Sequence, residues 1–192
     1  MNIQNFTPFE PTWYEIFEKQ RELKFQYEPK TKELFENFDI DCFEDQELFK
    51  QCCWRITEEL TEALEAHFKD GMDHIQEELI DALNFTIELM ILYGWTPRDY
   101  RILDNYPFFG DGIINRVGAT IYALGLTANC LKNRQWRKSQ YLVDLLIFED
   151  RFKKFLVCLY KLLLECFKSD EEIRKAWSLK YQVNLFRIQT NY

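Results

Sequence analysis

The sequence predicts an all-α protein, and three observations lead there. Only six glycines and five prolines interrupt 192 residues, so few positions oppose a helix. Hydrophobic residues make up 47% and aromatic residues 17% of the chain, which suits one domain over residues 1–192 with a sizeable core. Apolar residues also recur at helical spacing through most of the chain.

Composition excludes several classes of function. A net charge of −8 argues against nonspecific nucleic-acid binding, because a polyanion would be repelled except at a local basic cluster or through metal ions. The six cysteines form no CxxC pair and no secreted-type framework, and no leader-like segment is evident. They read as reduced, mostly buried thiols, which places the protein in the cytoplasm. The longest apolar stretches, such as 155–164 with Lys161 inside it, are too short and interrupted to cross a bilayer, so no membrane partner is expected.

The first helix is expected over 12–26, with Pro11 near its start and Pro29 beyond its end. Tyr14, Phe17 and Leu23 should face inward, with Trp13 beside them. Residues 32–45 read as a short helix followed by a solvated acidic loop. Asp39, Asp41, Glu44 and Asp45 lack the glycine and terminal glutamate of a Ca²⁺ loop.

Residues 54–93 form the centre of the chain, as two helices joined by a turn at Lys69-Asp70-Gly71. On the first, Glu58, Glu59 and Glu62 lie within about 100° of arc beside Ile56, Leu60, Ala63 and Leu64. On the second, Glu78 and Asp81 share a stripe roughly 100° wide with Ala82, Phe85, Leu89 and Leu92. Antiparallel packing, favoured by the short turn, would set Glu59 and Glu62 opposite Glu78 and Asp81. Four converging carboxylates cannot all stay ionised in a half-buried site without a cation. Oxygen ligands with no Cys or His at ligand spacing favour Mg²⁺, with Mn²⁺ an alternative, and a Mg²⁺ site commonly takes substrate phosphate oxygens. A solvated acidic stripe is the plainer reading of either half alone. His67 and Phe68 end the first helix, where Phe68 suits either base stacking or the core.

Thr96 should cap a short helix through Ile102, followed by a loop with two glycines that matches no phosphate-binding spacing. Helices are expected over 113–131 and 141–167, the latter as one helix or two, with apolar residues on nearly every side. Such breadth needs burial on more than one face, in this chain or against a partner. Between them Lys132, Arg134, Arg137 and Lys138 form the one dense basic cluster. It serves either a helix carboxyl end, a phosphate, or a subunit contact. In the last helix Lys180, Asn184 and Arg187 stand at i, i+4 and i+7 on one face, a cation, an amide and a guanidinium suited to three points along a triphosphate.

The joint pattern EExxE at Glu58, Glu59 and Glu62, then ExxD at Glu78 and Asp81, resembles the all-α nucleoside triphosphate pyrophosphatases, which include MazG-like proteins and the dimeric dUTPases. The terminal K-x-x-x-N-x-F-R and Tyr192 resemble the phosphate-binding motif of the dimeric dUTPases. The likeness covers the helix pair, the last dozen residues and, through Gln20, the first helix.

It implies a homodimeric helical bundle of that type and a Mg²⁺-dependent hydrolysis of dUTP to dUMP and pyrophosphate, in a phage-type enzyme working in the host cytoplasm. Glu59, Glu62, Glu78 and Asp81 would be the metal ligands, with Glu59 orienting or deprotonating the attacking water and Glu58 assisting. Lys180, Asn184, Arg187 and Tyr192 would bind phosphates. Gln20 corresponds to a glutamine that reads the pyrimidine edge. The family asparagine three residues later is Leu23 here, and Asn84 replaces a common histidine. The chain ends at Tyr192, where family members often continue. These departures leave room for dCTP or for a broader MazG-type substrate range. A noncatalytic helical binding protein is the reading from another class.

Overall fold

The computed structural model describes residues 9–69, 71–99, 110–133, 136 and 139–190. Among them the chain is all-helical: α1 Trp13–Tyr27, α2 Thr31–Glu36, α3 Phe43–Lys69, α4 Met72–Leu92, α5 Ile113–Ala128, α6 Leu145–Phe167 and α7 Asp170–Thr190. None of these helices is long and apolar enough to cross a membrane.

Two helical hairpins make the body. In the first, α3 packs along α4, and in the second α5 packs along α6; α3 also meets α5, while α1 and α7 lie against α4 and against each other. The turn of the first hairpin depends on Gly71, whose φ of 92° is a conformation that side chains disfavour. Its N–H returns to the carbonyl of Ala66 at 3.1 Å, so α3 stops and α4 reverses direction within one turn.

Capping fixes the other ends. At α1 the Thr12 hydroxyl accepts from the Glu15 N–H while the Glu15 carboxylate accepts from the Thr12 N–H, a reciprocal capping box. Asp144 caps α6 by accepting from the Ile147 N–H at 3.1 Å. The core is a run of aromatic rings between the hairpins. Phe152 of α6 is fully buried, stacks on Trp95 at 4.8 Å and meets Phe49 of α3 edge-on at 5.6 Å.

Several expectations are corrected. Tyr14 faces solvent at 51% exposure, and Ile16 takes its place inside. The buried face of α1 is Ile16, Phe17, Gln20 and Leu23, a helical row that puts Tyr14 on the far side, where Arg98 donates to its hydroxyl at 2.8 Å. The acidic segment 39–45 is no solvated loop. Asp45 is buried and accepts from the Asp39 N–H at 2.8 Å, and Asp41 accepts from the Val143 N–H at 2.7 Å. These acids start α3 and tie its beginning to the segment before α6. Residues 141–144 precede α6, which is a single helix, and α5 ends at Ala128. Thr96 makes a turn closed by Asp99; Ile102 lies outside the described residues.

The apolar breadth of α6 is mostly satisfied within the chain, since Phe148, Phe152, Phe155, Leu156, Leu159 and Leu163 are all buried. What stays exposed is the start of the helix and its approach, with Leu142 at 81% and Leu146 at 84%. The core and cap assignments are testable by urea unfolding. Phe152→Ala is expected to cost about 3–5 kcal/mol, as for large aromatic truncations in cores, and Thr12→Ala about 1 kcal/mol. Equal effects of the two would contradict the packing described.

Candidate metal and phosphate site

The hairpin α3–α4 brings acids together as the turn demands. Ligand oxygens of Glu59, Glu78 and Asp81 all lie within 4.8 Å of one another. Glu78 and Asp81 are three residues apart and project from the same face of α4, while Glu59 reaches across from α3. Burial of Glu59, with Asp81, Glu62 and Glu78 repelling its charge, pushes its carboxyl up to about 7. Burial and the neighbouring Asp81 and Glu62 raise Glu78 as well. Glu62 is exposed, yet near enough to act on both charges. It stands beside the cluster and not within it.

Glu58 is turned elsewhere. Its two oxygens accept from Trp54 Nε1 and from Arg55, each at 3.0 Å, and it is absent from the cavity wall. The arrangement supports no direct contact between Glu58 and the triad.

The opposite wall comes from α7. Lys180 Nζ sits 2.6 Å from Asp81 Oδ2 and 3.2 Å from Glu77, only 13% exposed. Burial works against its charge, but Asp81 and Glu77 outweigh that and hold its pKa up. In turn, Asp81 is raised by burial while Lys180 opposes the rise. Asn184 and Arg187 continue the row one and two turns further and line the same cavity of about 980 Å³. This volume is at the upper end of small-molecule sites. Tyr192 and Arg134 lie outside the described residues. Lys132 is at the surface with its Nζ 2.6 Å from Asn129 Oδ1, away from the cavity.

Further along α4, Asp81, Asn84, Phe85 and Glu88 line one wall. Asp81 and Glu88 are seven residues apart, about 10 Å along the axis. Asn84 is buried and donates to Asp81 through a long 3.5 Å contact. Gln20 and Lys24 of α1 complete this part: Gln20 donates to Glu88 Oε1 at 3.1 Å, and Lys24 lies 3.2 Å from Glu88 Oε2. Gln20 is therefore a buried residue of the cavity lining. Phe68, by contrast, is 67% exposed and packs edge-on against His67 outside the cavity. Tyr27, Trp54 and Phe85 are the aromatic rings in the lining. Glu88 and Lys24 were not anticipated. The signal was available, since Glu88 is an acid inside the apolar run 85–92 and Lys24 follows Gln20 by one turn.

The donor set Glu59, Glu78 and Asp81 fits a hard divalent cation: all ligands are carboxylate oxygens, and their mutual repulsion is what a dication would relieve. The sign of that repulsion gives a test. Glu59 goes from an ordinary value of 4.5 to about 7 on folding, so the folded chain holds a proton that the unfolded chain releases, and stability falls as pH rises across that window. In EDTA, Glu59→Gln is expected to stabilise the protein against urea at pH 8 and to have little effect at pH 5. Destabilisation at pH 8 would contradict the clustering. No family model, no curated protein and no solved structure matches this chain.

Proposed function

We propose that this chain is a Mg²⁺-dependent pyrophosphohydrolase of deoxynucleoside triphosphates, releasing a nucleoside monophosphate and pyrophosphate. Its sequence resemblance to the dimeric dUTPases makes dUTP the first substrate to test and dCTP the second. The observation that carries this reading is a juxtaposition: one cavity holds Glu59 and Asp81 on one wall and Lys180, Asn184 and Arg187 on another. Acids alone would suit many cations. Acids facing a row of phosphate-binding side chains suit a metal–polyphosphate complex.

Glu59, Glu78 and Asp81, with Glu62 beside them, would hold Mg²⁺, which when bound supplies polarised phosphoryl oxygens and a more acidic water. Glu59, which reaches the cluster from α3 across from Glu78 and Asp81, would orient the attacking water or take its proton. Lys180 contributes positive charge against the leaving pyrophosphate once substrate draws it from Asp81, and Arg187 adds a bidentate donor further along α7. Asn184 orients the chain of phosphates through its amide. Glu58, bound to Trp54 and Arg55, keeps that segment of α3 in place and takes no part in proton transfer.

A homodimer belongs to the same proposal. One surface available to a second copy is the exposed apolar group Leu142, Leu145, Leu146 and Ile147, and Leu146→Glu is expected to shift a dimer to monomer in sedimentation. An unchanged monomer in the parent protein would remove this part.

The activity is tested by pyrophosphate release with Mg²⁺ from dUTP, dCTP, dTTP, dATP and dGTP. Asp81→Asn and Lys180→Met are each expected to lower kcat/KM by about 100-fold or more, in line with loss of a metal ligand or of a transition-state donor. A folded parent protein that hydrolyses none of the five would overturn the reading and favour a noncatalytic binding role.

A further inference from the structure

Lys180 is held by two carboxylates of different standing. Its Nζ lies 2.6 Å from Asp81 Oδ2 and 3.2 Å from Glu77 Oε1, and its side chain is 13% exposed. Glu77 and Asp81 are four residues apart on α4, one turn above the other on the same side of the helix, so an ammonium arriving from α7 bridges both. Of the two, Asp81 alone belongs to the oxygens within 4.8 Å of one another that fit a cation; Glu77 stands outside that group and outside the cavity lining. The other oxygen of Glu77 faces His74 Nδ1 at 3.9 Å, and His74 Nε2 lies 3.3 Å from Glu78. Glu77 Oε1 is thereby left to Lys180.

This arrangement answers a conflict at Asp81. A divalent cation and the Lys180 ammonium compete for the same carboxylate, and at that separation they repel each other. A buried ammonium that lost Asp81 with no other anion in reach would oppose the exchange strongly. Glu77 is that other anion. It is already at hydrogen-bond distance, so the flexible end of Lys180 can leave Asp81 by a small shift and keep a charged partner.

We propose that Glu77 is a positioning residue that frees Asp81 for the cation: when a divalent cation binds Glu59, Glu78 and Asp81, Glu77 takes over the Lys180 ammonium and keeps it at the cavity wall, beside the phosphates of a metal-bound nucleotide. This inference rests on the metal–polyphosphate reading above and adds the residue through which metal binding and the α7 cation are coupled.

The experiment is a calorimetric titration with Mn²⁺ of four forms of the full chain: the parent protein, Glu77→Gln, Lys180→Met and the double variant, with folding followed by circular dichroism and thermal melting. With Lys180 present, Glu77→Gln is expected to weaken Mn²⁺ binding about tenfold, as for residues that support a metal ligand from behind. With Lys180→Met no ammonium needs a new partner. There the same substitution, at a side chain 42% exposed and screened by water, is expected to change Kd less than about threefold. A residue acting through its negative charge alone would weaken binding equally in both backgrounds. One that only docks α7 would lower the melting temperature and leave Kd in place.

Equal losses in the two backgrounds, or no loss in either, would overturn this inference and leave the metal site standing. Should a Lys180→Met form fail to fold, crystals of the parent protein grown with Mn²⁺ decide. Lys180 Nζ on Glu77 and away from Asp81 is expected there, and Lys180 parted from Glu77 would overturn the inference. A folded parent protein that binds no Mn²⁺ would overturn the metal site of the proposed function, and this inference with it.

Discussion

The mutual repulsion of Glu59, Glu78 and Asp81, and its partial relief by Lys180, is the constraint on which the rest of the molecule turns. Three carboxylates within 4.8 Å at the seam of two packed helices destabilise the very hairpin that carries them. The hairpin holds because the remainder of the seam is apolar, with Ile56, Leu60, Ala63, Leu79, Leu83 and Ile87 buried. The last helix brings a single ammonium against the cluster at Asp81. A cost of this kind concentrated at one point is a common signature of a functional site. Relief by one buried lysine also means that α7 is docked on α4 partly by charge, so a ligand that competes for Lys180 acts on helix docking as well as on chemistry.

The cavity follows from the same geometry. Because α1 and α7 both lean on α4, the α4 face that begins with Asp81 is covered from two sides and lined by side chains of four helices. Polar groups recur along it at each turn: Asp81, then Asn84, then Glu88. The acids near the hairpin turn meet cations of α7, and the acid further along meets Lys24 and Gln20 of α1. The wall therefore carries an ion pair toward each end, Asp81 with Lys180 and Glu88 with Lys24.

Much of this was legible from the sequence because helical periodicity is a local property. The hairpin needs Gly71 between two amphipathic stretches, and the inward direction of Glu78 and Asp81 is fixed by Ala82, Phe85 and Leu89 on the same stripe. The alignment of Lys180, Asn184 and Arg187 is likewise readable from i, i+4 and i+7. The opposition of those two faces is tertiary. The face of α1 could not be set by aromatic content, and Tyr14 lies outside because Ile16, Phe17, Gln20 and Leu23 make the better stripe. Glu88 stands out in the sequence as a lone acid in an apolar run, but its partners Gln20 and Lys24 meet it only when α1 is docked. Asp41 and Asp45 resembled loop acids because their acceptors serve backbone N–H groups, which no side-chain pattern reveals. Phe68 ends its helix on the solvent side of the turn, where residue spacing could not place it.

The central claim is that the carboxylates of α3 and α4 form a divalent cation site, and anomalous diffraction from crystals grown with Mn²⁺ tests it most directly. The account predicts a manganese peak bonded to oxygens of Glu59, Glu78 and Asp81, with Lys180 drawn back from Asp81. Millimolar Mn²⁺ with no peak at the triad, and Lys180 still paired with Asp81, would contradict it.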